Sequence, residues 1–212
     1  MNIYMHALND FERNMVDITT GCVLSGGRSR RMGTDKALLS LGGKTLITTA
    51  LEGFAGFHEI LISAEDAERY AFLGVPVIPD ERHGIGPLGG LISAIKATES
   101  MFVCFRPVDT PFVPPALHRL LASNCIGKDA AVPVFQNRTE PLLACIAKTA
   151  LPVLQGLAVN GVFKTQEIFT HLDAEYVQLE VPELITLMGD PASYLVNAND
   201  PETFRTLERR HI

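Results

Sequence analysis

Short apolar runs separated by helix-like segments constrain this chain more than any other feature. Residues 19–25, 59–63, 75–78 and 101–105 are such runs. The last, Met101-Phe102-Val103-Cys104-Phe105, has no polar residue at all. A strand with one wet face alternates apolar and polar residues; a strand apolar throughout is covered on both faces. Between and after these runs, residues 46–54, 88–97 and 114–123 carry helix patterns, and Pro114-Pro115 suits a helix start, where a missing N–H does no harm. This alternation predicts an α/β fold: a single-domain, Rossmann-like, three-layer α/β/α arrangement around a mostly parallel, mixed sheet.

The second half continues less regularly. Residues 130–135, 142–146 and 174–179 read as strands, and 147–158 and 164–171 as helices. A closing helix over 203–210 follows Asp200, suited to an N-cap, and Pro201, suited to a first turn. The 212 residues suffice for one domain with a real core, and no repeat or linker divides them. Residues 1–18 read as an N-terminal extension and 19–212 as the domain.

Charge and composition exclude several classes. The net charge is −6, with no basic stripe, so a nucleic acid is not the expected partner. No apolar run approaches the roughly 20 residues a membrane helix needs. The first 17 residues mix Asp10, Glu12, Arg13 and Asp17 among apolar ones, unlike a secretory signal. Cys22, Cys104, Cys125 and Cys145 form no C-x-x-C pair, and three of them lie in strand-like runs. They read as free, buried thiols of a reducing compartment, which points to the cytoplasm. The six histidines show no ligand spacing and no nucleophile–base pattern.

Any anion must therefore be gripped by a local site, and one stretch offers it. Leu24-Ser25-Gly26-Gly27-Arg28-Ser29-Arg30-Arg31-Met32-Gly33-Thr34-Asp35-Lys36 leaves the first buried run at its C-terminal end. Open α/β sheets bind ligands at that edge. Gly26 and Gly27 let backbone approach a ligand, and exposed N–H groups there can cradle phosphate. The stretch matches neither the P-loop nor the dinucleotide fingerprint. Without further context it is also a glycine turn followed by a solvated basic loop.

Residues 24–36 resemble the signature of the MobA family of molybdenum cofactor guanylyltransferases, L-x-G-G-x-S-x-R-M-G-x-D-K. The resemblance continues through Gly43-Lys44 and Leu46, Gly86-Pro87-Leu88-Gly89-Gly90, Pro107-Val108-Asp109-Thr110-Pro111 and Asn197-Ala198-Asn199-Asp200-Pro201-Glu202. It spans roughly residues 20–210 in order, and five ordered blocks are specific where one alone is weak.

The resemblance implies transfer of GMP from GTP to the phosphate of the molybdenum cofactor, Mo-molybdopterin, with release of pyrophosphate. It implies Mg²⁺ as cofactor, GTP and the molybdopterin cofactor as substrates, and protein partners to which a labile cofactor is handed over. CTP in place of GTP, a sugar- or polyol-phosphate acceptor, and a non-catalytic nucleotide-binding module remain alternatives. Residues about 19–125 would form the nucleotide-binding half and about 126–212 the acceptor half.

Candidate residues follow. Leu24, Ser25, Gly26, Gly27 and Arg31 belong to the nucleotide loop. Lys36 is either a clamp on the transferring phosphate or a surface lysine paired with Asp35. Asp109 is either the Mg²⁺ ligand or a cap on the helix that follows; Mg²⁺ commonly takes one or two carboxylates and completes its shell with phosphates and water. Asp80 either contacts ribose or base or closes a turn. Ser63 ends the second strand where the family often has asparagine, and serine offers only a hydroxyl. Asn197 and Asn199 suit the polar edge of an acceptor or a turn before a helix. Arg138 is an acceptor-phosphate candidate or an exposed loop arginine, and Lys164 falls where relatives carry arginine.

Overall fold

The computed structural model describes residues 15–26, 35–80, 84–198 and 201–210. Four parallel strands form the nucleotide-side half of the main sheet: β1 (Thr19–Leu24), β4 (Glu59–Ser63), β5 (Val77–Ile78) and β6 (Phe102–Pro107). The other half holds β7 (Ala130–Phe135), β8 (Arg138–Thr139), β9 (Cys145–Ala147) and β10 (Ala174–Gln178). The order is β10-β7-β9-β6-β1-β4-β5, with β8 paired to β7. Strand β9 runs antiparallel to both β6 and β7, so the sheet is mixed but mostly parallel. A small hairpin of β2 (Ser40–Leu41) and β3 (Lys44–Thr45) turns around Gly42-Gly43.

Helices cover both faces. On one side lie α1 (Leu46–Glu52) and α3 (Pro115–Asn124), with α8 (Pro201–Arg210). On the other lie α2 (Pro87–Ala97), α4 (Leu151–Val159) and α5 (Thr165–Thr170). Strand side chains alternate between these layers: Phe102 and Cys104 join the first core, Val103 and Phe105 the second. Leu46, Ile47, Phe54 and Phe105 are fully buried, each burial being worth about 1.5–3 kcal/mol. Met15 and Val16 also pack into the first core, so the packed body reaches back at least to Met15. All four cysteines are free and buried. Burial and neighbouring thiols push the Cys125 and Cys145 sulfhydryls far above their ordinary range, which makes them inert packing groups.

Several boundaries differ from expectation. The strand expected over 142–146 is Cys145–Ala147, because Leu142 and Leu143 belong to the turn that brings the chain back. The helix expected from 147 starts with a tight turn at Lys148–Ala150 and becomes α-helical at Leu151. The loop read through residue 45 contains the β2–β3 hairpin and a short turn at Lys36–Leu38. Two short helices, α6 (Pro182–Met188) and α7 (Pro191–Tyr194), were not legible; α6 buries none of its residues and so shows no apolar stripe.

Candidate active site

The strand order reverses between β1 and β6. From β1 the chain moves outward to β4 and β5, then crosses back to β6 on the other side. The C-terminal ends of β1 and β6 therefore flank a crevice, the usual ligand site of an open parallel sheet. Leu24 is opposite Pro107 in the register, and Val108 N–H donates to the Leu24 carbonyl at 3.1 Å. This alignment puts Ser25 and Gly26 beside Asp109.

Lys36 crosses to that point. Its Nζ lies 2.9 Å from Asp109 Oδ2, and its residue is only 8% exposed. The reading of Lys36 as a surface lysine paired with Asp35 is thereby overturned. Asp35 is engaged elsewhere: its Oδ1 accepts from Ala37 N–H at 3.0 Å and caps the turn Lys36–Leu38, and its Oδ2 accepts from Tyr70 at 2.9 Å and Arg69 at 3.2 Å. Tyr70 OH in turn accepts from Ser25 Oγ at 2.9 Å. One hydroxyl thus ties Ser25, before the glycine pair, to Asp35, beside the lysine. Burial raises the Tyr70 phenol to about 12, so it stays a donor throughout the neutral range. Nothing in the sequence marked Tyr70 or Arg69, which sit in the 3-10 turn Glu68–Leu73.

Ser63 and Asp80, read separately in the sequence, meet at the neighbouring strand ends. Ser63 Oγ donates to Asp80 Oδ1 at 3.1 Å, and Ser25 N–H donates to the Ser63 carbonyl at 2.9 Å. Gly90 of α2 packs against this pair: a Cβ there would stand 2.6 Å from Ser63 Oγ and 3.3 Å from Asp80 Oδ1. Gly90 thus admits Ser63, at the end of β4, and Asp80, just past β5, to the crevice wall.

On the acceptor side, a cleft of about 610 Å³ runs from Asp109 to Asn197, Glu140, Lys164 and Gln166. Ala198 N–H donates to the Asp109 carbonyl at 2.8 Å, which draws the Asn197 segment against the β6 end. Asp109 does not cap α3, whose N-cap is Pro114. Arg138 is an exposed residue of the β7–β8 hairpin and does not line this cleft. Glu140 does; burial and the Asp109 charge both raise its pKa. Gly27, Arg31 and Asn199, with Arg28, Arg30 and Asp200, lie outside the described residues.

Among the described residues no group of three or more His, Cys, Asp or Glu side chains could hold a metal by itself. A carboxylate at 22% side-chain exposure facing a cleft suits Mg²⁺ shared with phosphates instead. No helix among the described residues is long and apolar enough to cross a membrane.

A lysine–carboxylate pair at the switch point of a parallel sheet, beside a polar cleft, defines an α/β enzyme that handles phosphorylated ligands. The chain belongs to the family of MobA-like NTP transferases: residues 21–175 match the MobA-like NTP transferase domain. It is 29% identical over 189 residues to a probable molybdenum cofactor guanylyltransferase of Carboxydothermus hydrogenoformans, covering 89% of this chain and 94% of that one. It is 31% identical over 196 residues to one of the same name from Chloroflexus aggregans, covering 89% and 93%. Among solved structures, molybdopterin-guanine dinucleotide biosynthesis protein A from Archaeoglobus fulgidus superposes with a TM-score of 0.75 at 27% identity, over 90% of this chain and 97% of that one. The chain is a nucleotidyltransferase of this family.

Proposed function

We propose that this protein transfers GMP from GTP to the phosphate of the molybdenum cofactor, forming its guanine dinucleotide and releasing pyrophosphate. The relatives' names supply the nucleotide and the acceptor. The observation that carries the residue assignment is the Lys36–Asp109 pair at 2.9 Å, where the nucleotide loop, the β6 end and the acceptor cleft meet.

In this reading the nucleotide's phosphates lie over Leu24, Ser25, Gly26, Gly27 and Arg31, with Ser63 and Asp80 on the nucleoside side. Lys36 neutralises charge on the transferring phosphate. Asp109, and Glu140 across the cleft, supply hard oxygens for Mg²⁺. When bound there, Mg²⁺ supplies charge neutralisation and a template for the phosphates. An oxygen of the acceptor phosphate forms the new bond to the α-phosphorus, and the bond to the bridging α–β oxygen breaks with its electron pair leaving on pyrophosphate. The acceptor is already anionic, so no side chain has to remove a proton. Asn197 and Lys164 line the cleft on the acceptor side, about 126–212, and Asn199 follows Asn197 in the sequence; Arg138 is not among the cleft's lining residues. The free buried cysteines fit work in the cytoplasm, where the product passes to protein partners.

The test is pyrophosphate release with Mg²⁺, molybdenum cofactor and each of GTP, CTP, ATP and UTP. Release with GTP alone, lowered roughly a hundredfold or more by Asp109→Asn, is the expected result. Release with CTP instead would overturn the choice of nucleotide, and undiminished turnover in Asp109→Asn would overturn the assignment of Asp109.

A further inference from the structure

The largest fully buried side chain in the described residues belongs to a charged residue, Arg106, at 1% exposure. It stands on β6 after Phe102 and Cys104, on the face where the strand's alternation calls for an apolar residue. No carboxylate among the described residues pairs with it. Burial alone pulls its pKa down to about 10, and its Nε has no hydrogen-bond partner among the described residues. Neighbouring His118 offers no compensation: it is fully buried, and its imidazole is held neutral by burial and by the Arg106 charge.

A buried charge without a counter-charge destabilises a fold. Two features soften the cost. The guanidinium lies at the C-terminal end of α1, where the carbonyl dipoles favour a cation. Space for it exists because residue 53 is glycine: a Cβ there would stand 2.1 Å from Arg106 Nη1. Among the described residues, its hydrogen bond runs from Nη2 to the carbonyl of Thr110, at 2.5 Å. Thr110 Oγ1 donates back to the Pro107 carbonyl at 2.8 Å. The guanidinium thus grips, from inside the core, the turn that carries Asp109.

We propose that Arg106 is a positioning residue: its buried guanidinium locks the Pro107–Thr110 turn so that the Asp109 carboxylate faces Lys36 and the cleft. This role rests on the reading of Asp109 as the metal ligand. It explains why a stability liability sits under the site, since an apolar side chain of similar length would fill the core at lower cost but remove the turn's hydrogen bond from the core side, leaving its internal Thr110–Pro107 bonds and its contacts with Leu24, Ala198 and Lys36.

The experiment compares wild type, Arg106→Met, Gly53→Ala and Asp109→Asn. It reads melting temperature, Mn²⁺ affinity by paramagnetic titration in the presence of GTP, and kcat and KM for pyrophosphate release. Arg106→Met should keep or raise the melting temperature, because an uncompensated buried charge has gone. Its kcat should fall roughly tenfold or more and its Mn²⁺ affinity weaken several-fold, because the carboxylate is no longer held in place. Gly53→Ala should reproduce the kcat loss with Arg106 still present; at φ −61° and ψ −20° the backbone itself accepts alanine. Parallel loss of melting temperature and activity in Arg106→Met would make the residue merely structural. Wild-type kcat and Mn²⁺ affinity in Arg106→Met, beside an inactive Asp109→Asn, would refute the positioning role alone. Wild-type behaviour of Asp109→Asn would sink the metal assignment, and the positioning role with it.

Discussion

Gly90→Ala tests whether the crevice wall is as tight as the geometry indicates. Residue 90 lies inside α2, where alanine is favoured over glycine by about 1 kcal/mol. Propensity alone therefore predicts stabilisation. Contact predicts the reverse. The new Cβ would meet Ser63 Oγ at 2.6 Å, Asp80 Oδ1 at 3.3 Å and Leu24 Cδ2 at 3.5 Å. Ser63 is 2% exposed and sits in the parallel sheet between β1 and β5, so its backbone cannot retreat. Its hydroxyl must rotate, and the bond to Asp80 breaks at a cost of about 1 kcal/mol. Overpacking adds about 1–3 kcal/mol. After the helix gain is subtracted, a net loss of about 1–3 kcal/mol remains, equivalent to about 2–12 °C for a domain of this size. Removing the offending oxygen should relieve the clash, so Gly90→Ala/Ser63→Ala should be more stable than Gly90→Ala alone, a coupling visible in a double-mutant cycle. The assay is thermal unfolding alongside GTP binding, which should weaken as Asp80 loses the Ser63 hydrogen bond. A melting temperature raised by Gly90→Ala, or two substitutions that simply add, would refute the argument.

Two further perturbations probe Tyr70 and His118. Tyr70→Phe removes the hydroxyl that joins Ser25 to Asp35, two hydrogen bonds worth about 1 kcal/mol each; KM for the nucleotide should rise several-fold in steady-state kinetics, and an unchanged KM would show the tie to be idle. His118 is buried neutral with its pKa well below 6.5, so the unfolded chain takes up that proton first as pH falls. Stability should be full above about pH 6.5 and fall below it, with His118 contributing to the loss. Urea unfolding of wild type and His118→Leu at both pH values should show the smaller acid loss in the variant, and equal losses would count against a neutral buried imidazole.

The buried parallel strands were legible because cover on two faces makes most of the run apolar; Phe102–Phe105 of β6, before Arg106, is the case in point. The nucleotide side was legible for a related reason. Leu24, Ser63, Asp80 and Asp109 each follow or end an apolar run, and parallel strands deliver those ends to one edge. What escaped depends on contacts made across the chain. Tyr70 lies 45 residues from Ser25 and 35 from Asp35, and no local pattern announces either bond. Arg106 looked like the first residue of a loop, yet it is the last inward-facing residue of the strand. Arg138 had two readings, an acceptor-phosphate ligand or an exposed loop arginine, and its exposure agrees with the second. The turn at Gln136 and Asn137, both with positive φ, closes a tight hairpin that carries it away to solvent.

The acceptor cleft depends on the reversal of β9 within the main sheet. Strands β6, β7 and β10 point the same way as β1, so each delivers its C-terminal end to the nucleotide edge. Strand β9 runs opposite and therefore begins at that edge. The residues just before it, Glu140 to Leu142, are placed beside the residues just after β6, Pro107 to Asp109. In an all-parallel sheet the neighbour of β6 would contribute another strand end and a crossover helix at this point. The reversal contributes instead a short return from the β7–β8 hairpin, which leaves room for a cleft next to Asp109 without opening the core. Register then matters on both strands. Because Cys104 pairs with Cys145, a slip of β9 by one residue would turn its buried side chains to the opposite layer and shift Glu140 along the cleft wall. The buried cysteines are small enough to let β6, β9 and α3 approach closely at that pairing, and in this way the core holds the acceptor wall in register with the nucleotide edge.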